Sequence, residues 1–370
     1  MQNVIFFLDI RFNFFILQSF PVTLSETIAI KFYTSMITIK DIASHLNISV
    51  STVSRALRNH PDISAETKRK VMDIAKKLDY HPNAIAQSLK RNRSNLIGVI
   101  VPQVKHDFFA TVMSGIADFA YNAGYAVMIF QSNENYNREV FNVKAVMAQR
   151  AAGILVSLSK ATDNYDHFLQ LIDKDIPIVF FDRCSDEIPV PQVVVDDREG
   201  AFCLVNHLIE SGYRKIAHIA GPTFLSIASE RLKGYRDALQ HAGIPYDESL
   251  VVFGGLNEED GLKGYDALVN QCDRVDAIFA VTDPVAYGVF QRLKEHRLHI
   301  PEDVALAGFS DSKMASLLDP PLTSVRQPTY EIGREAMRVL HDLIQQKERQ
   351  YQLNKHVLKT ELVVRESTIK

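Results

Sequence analysis

From residue 95 to its end, the 370-residue chain alternates short, nearly continuous apolar runs with longer amphipathic segments. Apolar runs without polar alternation are typical of parallel strands that are buried on both faces, and the longer segments are typical of the covering helices. The pattern therefore predicts a doubly wound α/β fold with enough strands for two lobes. The predicted strands are Leu96–Val101, Ala126–Phe130, Ile154–Leu158, Ile178–Phe181, Val193–Val195, Ile216–Ala220, Val251–Phe253, Ala277–Val281, Val304–Ala307 and Ser324–Arg326. Predicted helices include Phe108–Ala123, Glu199–Ser211, Glu230–Ala242 and Glu331–Gln346.

The segment before residue 95 has a different pattern, which predicts three short helices around one small core. A first helix begins after Thr38, which caps it together with Asp41, and its apolar side chains recur at helical spacing from Ile39 to Leu46. Ser49 caps a second helix, Val50–Arg58, after a turn of about three residues. Ser64 caps a third helix. The spacing is that of a helix-turn-helix unit.

The net charge of −3 is unevenly distributed along the chain. Residues 37–94 contain eleven Lys and Arg residues against five Asp and Glu, a net charge of +6. Residues 1–36 are neutral, so residues 95–370 carry −9. A basic helical segment joined to an acidic α/β segment suggests a polyanion as partner, although a solvated surface of mixed charge would give the same count.

The start of the second helix is where a helix-turn-helix unit contacts base edges in the major groove. Four side chains are predicted to face outward there, namely Val50, Ser51, Ser54 and Arg55. Three hydroxyl side chains near helix starts suit phosphate contacts, which position the protein without selecting sequence. These are Thr38, Ser49 and Thr52.

Three stretches of this segment resemble the headpiece of the LacI (lactose/galactose repressor) family of bacterial transcription regulators. They are TIKDIASHLNISVSTVSRALRN, DISAETKRKVMDIAKKLDYHPNAIAQSL and RSNLIGVIVP. The resemblance implies that Val50, Ser51 and Arg55 contact bases. It also implies that residues 83–90 form a hinge helix on DNA, with Asn83 and Ala86 at the DNA and Leu89 wedged into a minor-groove step. Residues 83–89 alone are a weak helix former.

Polar and aromatic residues follow several predicted strands of the α/β segment, at the edge where such folds bind ligands. Carboxylates and an arginine can hydrogen-bond to sugar hydroxyls, and aromatic rings can cover sugar C–H faces. Taken singly, each acid could instead cap the helix that follows it. The effector-binding residues predicted from this pattern are Phe108, Phe109, Asp182, Arg231, Thr282, Asp283 and Ser310, and the family resemblance adds Leu256.

The LacI-family resemblance continues through the α/β segment in GPTFLSIASERLKGYRDAL, in residues 277–328 and in IGREAMRVLHDLI. It implies a two-lobed core like that of periplasmic sugar-binding proteins, a homodimer and a small-molecule effector. Arg231 matches the effector-binding arginine of the family, Phe109 an aromatic at the cleft mouth, and Asp182 an acid at the lobe interface. The sequence departs from the family pattern at three of the effector positions, Leu256, Thr282 and Ser310, so a sugar effector is implied only by association.

The predicted organisation follows from these segments. Residues 1–36 are expected to be an extension outside the native fold that arises from a misassigned start codon, with a membrane or partner contact as the alternative. Residues 37–82 form the DNA-binding domain, 83–94 the hinge and linker, and 95–370 the effector-binding and dimerisation domain. Its first lobe is placed at about 95–185 and 326–350, and its second at about 186–325 and 351–370.

The sequence favours a cytoplasmic transcriptional regulator, predicted as a repressor that binds palindromic double-stranded operator DNA as a homodimer, without a membrane partner. A solute-binding protein would not explain the basic helical segment. An α/β enzyme lacks a motif for a nucleophile, metal or nucleotide cofactor, so no catalytic residue, metal or cofactor is predicted. The three cysteines form no CxxC pair and suit a reducing cytosol.

Overall fold

The computed structural model describes residues 37–80, 94–105, 107–272, 274–346, 352 and 354–369. The chain divides into two compact units, residues 1–90 and 91–370. The predicted extension at residues 1–36 and the hinge residues Asn83, Ala86 and Leu89 lie outside the described residues.

The first unit contains the three predicted helices, α1 (Ile39–Leu46), α2 (Val50–Leu57) and α3 (Ala65–Lys77). All three predicted caps are present. Thr38 and Asp41 form a capping box on α1, and the hydroxyls of Ser49 and Ser64 accept hydrogen bonds from main-chain N–H groups at the starts of α2 and α3. One small core joins the helices through Ile42, Ala43, Val53, Ala56, Val71 and Ala75. The helices thus depend on a shared set of small apolar side chains.

The second unit contains two six-stranded sheets, as the alternating pattern predicts. The strands are β1 (Leu96–Val101), β2 (Ala126–Gln131), β3 (Gly153–Val156), β4 (Ile178–Phe181), β5 (Gln192–Val195), β6 (Ile216–Ala220), β7 (Val251–Phe253), β8 (Ala277–Ala280), β9 (Ala305–Ser310), β10 (Thr323–Arg326), β11 (Lys355–Leu358) and β12 (Glu361–Val363). The first sheet has the order β11-β5-β4-β3-β1-β2 and the second β12-β10-β9-β8-β6-β7. Only β12 is antiparallel to its neighbour among these described strands.

Helices cover both faces of each sheet and enclose a pair of apolar cores in each lobe. They are α4 (Asp107–Asn122), α5 (Tyr136–Ala148), α6 (Asp166–Asp173), α7 (Asp197–Glu210), α8 (Ser226–His241), α9 (Glu258–Gln271), α10 (Asp283–Glu295) and α11 (Thr329–Gln345). The helix α8 begins four residues before the predicted start, so Arg231 lies within it rather than at its beginning.

The lobe limits differ from those predicted. Strands β5 and β11 were assigned by sequence to the second lobe, yet β5 pairs with β4 and β11 pairs with β5, which places both in the first sheet. Main-chain pairing between distant segments leaves no periodic trace in the sequence, and this is why the limits were wrong. The chain crosses between lobes after β5, after β10 and after β11.

Glycines bring three helix pairs into close contact. On α11, a Cβ atom at Gly333 would lie 2.0 Å from the carbonyl oxygen of Val112 on α4, and one at Gly115 on α4 would lie 2.1 Å from that of Tyr330. The pair α9 and α10 repeats this reciprocal contact, and α7 and α8 meet at Gly234. Any side chain at these positions would push the helices apart.

None of the helices in the described part of the chain is long and apolar enough to cross a membrane.

Candidate functional site

Two surfaces carry the residues that the sequence singles out, one in each unit. On the first unit, α2 buries Val53 and Ala56 and turns its other face to solvent. Val50 is 41% exposed, and Ser51 and Arg55 are exposed as well. The Arg55 side chain makes no hydrogen bond or ion pair with another described residue, so its guanidinium is available to an external acceptor. The three positions predicted to contact bases therefore share one accessible face.

The hydroxyl groups at the start of α2 form a local network. The Ser49 hydroxyl accepts from the Thr52 main-chain N–H at 3.0 Å and is 2.7 and 2.8 Å from the hydroxyls of Ser51 and Thr52. On α1, the Thr38 N–H and hydroxyl both donate to Asp41 at 2.7 Å, and these hydrogen bonds lower the Asp41 pKa. Two of the three predicted phosphate-contacting side chains, Thr38 and Ser49, thus serve as helix caps, and Thr52 is bonded to the second cap.

Ser54 differs from its predicted neighbours because its polar groups are bonded to an arginine. Arg58 donates from Nε to the Ser54 carbonyl at 3.0 Å and from Nη2 to the Ser54 hydroxyl at 2.5 Å. The i,i+4 spacing of the two residues places Arg58 along the same side of α2. Sequence reasoning did not single out Arg58, although this spacing was the signal that could have found it.

In the second unit, a cavity of about 530 Å³ lies between the lobes at the carboxyl ends of the parallel strands. Seven of the eight predicted effector residues line it, namely Phe108, Phe109, Asp182, Arg231, Leu256, Thr282 and Ser310. The lining outside the predicted effector set is Lys105, Asp107, Arg183, Ile227, Asn257, Glu258, Glu259, Pro284, Tyr287, Ser312, Met314 and Gln327. Several of these residues come soon after a predicted strand. That position could have identified them, but many other residues of this fold have it too.

Arg231 is the most constrained side chain of the cavity. It is 1% exposed, and Asp197 Oδ1 accepts from its Nε at 2.8 Å and its Nη2 at 2.7 Å. Its Nη1 donates to the Val281 carbonyl at 2.7 Å, and the Phe309 ring centroid lies 3.7 Å from the guanidinium carbon. A guanidinium has five N–H groups, so two remain for a ligand.

The first lobe contributes an acidic group opposite this arginine. Asp182 is buried, and its carboxylate accepts from the Ser157 hydroxyl at 3.2 Å. Burial raises the Asp182 pKa, while the positive charges of Arg183 and Arg231 act in the opposite direction. Its φ of 60° is a left-handed conformation that is uncommon for a residue with a side chain, and such conformations concentrate at functional sites.

Asp283 is an exception to the predicted effector set, because it is not part of the cavity lining and has no exposed surface. Its carboxylate accepts from the Ser324 hydroxyl at 2.6 Å and from the Ser312 N–H at 2.7 Å. Burial raises its pKa to about 6. Asp283 therefore holds β10 and the loop after β9 in place, and Thr282 rather than Asp283 caps α10.

Two polar residues of the second lobe extend the ligand-facing surface beyond the predicted set. Gln327, at the crossing after β10, donates from Nε2 to the Ser310 hydroxyl at 3.0 Å. Its Oε1 is buried without a hydrogen-bond partner among the described residues. The Tyr287 hydroxyl is hydrogen-bonded to Ser312, and burial raises its pKa. Hydroxyl, amide and carboxylate groups thus surround the cavity.

Within the described ranges, no group of three or more His, Cys, Asp or Glu side chains could hold a metal ion. The lining combines polar groups with two phenylalanine rings, Phe108 and Phe109, which meet edge to face with centroids 5.1 Å apart. This combination can bind a polar molecule that also has an apolar face.

Comparison with known families matches both units. The family described as "Bacterial regulatory proteins, lacI family" matches residues 38–83, and the "Periplasmic binding protein-like domain" matches residues 205–368. Catabolite control protein A of Priestia megaterium is 31% identical over 305 residues, which are 82% of this chain and 91% of that protein. The HTH-type transcriptional repressor CytR of Escherichia coli (strain K12) is 34% identical over 308 residues, which are 83% and 90%.

Solved structures give the same architecture. The structure of the transcriptional regulator CelR in complex with cellobiose has a TM-score of 0.69 and 30% identity, and the match covers 90% of this chain and 99% of that one. The lac repressor dimer bound to operator and the anti-inducer ONPF has a TM-score of 0.78 over the same shares of the two chains. At 24% identity, the second likeness concerns the fold alone.

Proposed function

The chain belongs to the LacI family of bacterial transcription regulators, and from this premise we propose that it represses transcription at a palindromic operator under the control of a small polar effector. A DNA-binding headpiece and a periplasmic-binding-protein-like core are the two parts of the regulator. The relatives are transcription regulators rather than enzymes.

The exposed face of α2 supports the DNA contact. Arg55 can make a bidentate contact with a guanine, Ser51 can contact either kind of base, and Val50 can pack against a thymine methyl group. Arg58 lies one turn beyond Ser54 and adds positive charge for a phosphate. These contacts occur on the side of the helix that the small core leaves free.

A single observation carries the effector proposal, namely the buried guanidinium of Arg231 with two unused N–H groups at an interlobe cavity of about 530 Å³. That volume suits a small metabolite. The CelR relative is bound to cellobiose in its structure, and a sugar or sugar derivative fits the mixture of polar groups and phenylalanine rings in this cavity.

Effector control requires the ligand to bind one arrangement of the lobes better than another, because only differential affinity shifts an equilibrium. Residues of both lobes line the cavity, so closure around a ligand would change the relative orientation of the lobes. A coupling free energy of about 1–3 kcal/mol would change operator affinity roughly 5- to 150-fold.

A homodimer follows from the two-fold symmetry of a palindromic site. The edge strands β2 and β7 carry the exposed apolar side chains Ile129 and Phe253, which are 50% and 55% exposed, and Phe141 on α5 is 70% exposed. We propose that a second copy covers these side chains. Sedimentation velocity should give a dimer, and a monomer at the concentration that binds operator would contradict this assembly.

We also propose a cytoplasmic location, where a DNA-binding regulator acts. None of the three cysteines, Cys184, Cys203 and Cys272, forms a disulfide in the described structure, and reduced cysteines suit a reducing compartment.

A gel-shift titration with promoter fragments from the gene neighbourhood of the protein tests the DNA-binding function. The full chain should retard one fragment specifically, while Lys313→Ala, a change in the second unit, serves as the matched control. Absence of retardation at low salt would contradict the proposal. A thermal-shift panel of sugars and nucleosides tests the effector site, and Arg231→Ala should abolish the shift that the best compound produces.

A further inference from the structure

Both arginines of the interlobe cavity are already neutralised by carboxylates of the protein. Arg231 donates two hydrogen bonds, from Nε and Nη2, to Asp197 Oδ1. The Arg231 and Asp197 side chains are 1% and 7% exposed. Arg183 donates from Nη1 to Glu134 Oε1 at 2.8 Å, and these side chains are 9% and 13% exposed. Buried charges are stable in proteins when they are paired in this way. Neither guanidinium therefore offers an uncompensated positive charge to a ligand.

The remaining charged groups of the cavity are mostly acidic. Asp107, Asp182, Glu258 and Glu259 line it, against Lys105 as the remaining cation of the described lining, and Lys105 is exposed to solvent. Lys263 pairs with Glu259, but this exposed contact is worth little. A phosphate or carboxylate group that entered the cavity would meet more negative than positive charge. The electrostatic balance thus disfavours anionic ligands.

Asp197 also fixes the direction of the Arg231 guanidinium. The Asp197 carboxylate accepts from Nε, the Val281 carbonyl accepts from Nη1, and the Phe309 ring lies against the guanidinium. Three different groups therefore restrict the orientation of the guanidinium. The two unused N–H groups consequently have a set orientation before any ligand binds. Preorganised donors of this kind lose little entropy on binding.

From these contacts we propose that Asp197 is a positioning and specificity-determining residue, which makes the cavity accept uncharged polyhydroxyl ligands and reject phosphorylated or carboxylated ones. The inference rests on the proposed function in one respect, that the cavity binds a small molecule. A hydroxyl group can accept from Arg231 and donate to Asp182, whereas an anionic oxygen can only accept and would face that carboxylate. Discrimination comes from unfavourable charge as well as from favourable contacts.

Calorimetric titration with inorganic sulfate tests this specificity without the effector or DNA. The wild-type chain at pH 7.5 should show no saturable binding of sulfate that Arg231→Ala removes. Asp197→Asn has the same size but removes the counterion of Arg231, and it should bind sulfate saturably, at least about tenfold more tightly than the weakest binding that the titration detects. Asp197→Glu, which keeps the charge, should again bind none.

Two variants control for general effects. Asp237→Asn removes the partner of Arg198 from an ion pair between the same two helices, α7 and α8, at a half-exposed site, and it should not gain sulfate binding. Adding Arg231→Ala to Asp197→Asn should abolish the gain, because the released charge is then absent. Saturable sulfate binding by the wild type that Arg231→Ala removes would overturn the proposal, even if the Asp197 variants failed to fold.

An equal gain in Asp197→Asn and Asp237→Asn would also overturn it, as would no gain in a folded Asp197→Asn chain. Loss of promoter retardation in the gel-shift titration, in contrast, would refute the proposed function and leave the sulfate result unaffected. The two failures are therefore distinguishable.

Discussion

Replacing Asp283 with asparagine should make the second unit less sensitive to pH. The wild-type carboxyl group has no exposed surface, and burial raises its pKa from 3.8 to about 6. The hydrogen bonds from Ser324 and Ser312 act in the opposite direction without cancelling the effect of burial. The folded state therefore holds the proton more tightly than the unfolded chain does.

The sign of the pH dependence follows from this difference. Because the pKa is higher in the folded state, ionisation of Asp283 destabilises the fold, and its contribution to the free energy of unfolding falls as pH rises from about 4 to above 6. A difference of about two pKa units corresponds to about 3 kcal/mol. The amide of the Asp283→Asn variant cannot ionise, so the stability of the variant relative to the wild type should rise by about 3 kcal/mol between about pH 4 and about pH 7.5.

Urea unfolding followed by circular dichroism would measure this change, since the chain contains no tryptophan for fluorescence. Asp247→Asn provides a control of opposite sign, because hydrogen bonds from Ser249 lower the pKa of that exposed carboxyl group. Wild-type and Asp283→Asn proteins whose stabilities run parallel over this pH range would refute the reasoning. If Asp283 instead bound the effector, its replacement would abolish the effector-induced thermal shift with no change in this pH dependence.

Three further outcomes are expected. Arg55→Ala should weaken operator binding by about 1–3 kcal/mol and relax specificity at one base pair, as measured by anisotropy with operator variants, and an unchanged specificity profile would exclude a base contact. Val53→Ala should destabilise the headpiece by about 2–3 kcal/mol through the lost methyl groups and the cavity, and should weaken DNA binding while the thermal transition of the second unit stays constant. Gly333→Ala should lower the melting temperature of the second unit by several degrees, because its Cβ would lie 2.0 Å from the Val112 carbonyl oxygen, and an unchanged transition would show that α4 and α11 separate freely.

Local chemistry made much of the fold predictable from the sequence. The caps at Thr38, Ser49 and Ser64 are short-range contacts between residues three apart, and they appear as predicted. Strands such as Leu96–Val101 and Ile216–Ala220 have the predicted limits, because their apolar runs end where the backbone leaves the sheet. The family resemblance then supplied what local patterns do not, including the place of Arg231 at the cavity.

Long-range contacts account for what the sequence did not reveal. Asp197 lies 34 positions before Arg231, and nothing in the spacing indicates that its carboxylate neutralises the arginine. Asp283 has the expected residue type at the expected strand end, but only the positions of Ser312 and Ser324 determine that it faces the protein rather than the cavity. The residue pattern fits both orientations, and the structure leaves Asp283 outside the cavity lining.

The glycine contacts between helices also bear on how a signal could travel through the second unit. At Gly115, Gly234 and Gly261, a main-chain carbonyl of the facing helix lies directly against the glycine, so the two backbones have little room to slide past each other at these points. Each lobe should consequently move as a rigid body when a ligand binds. Movement would then be confined to the three crossings that join the lobes. Substitutions at the crossings would alter how far one lobe rotates relative to the other, while substitutions at the glycines would alter the rigidity of each lobe.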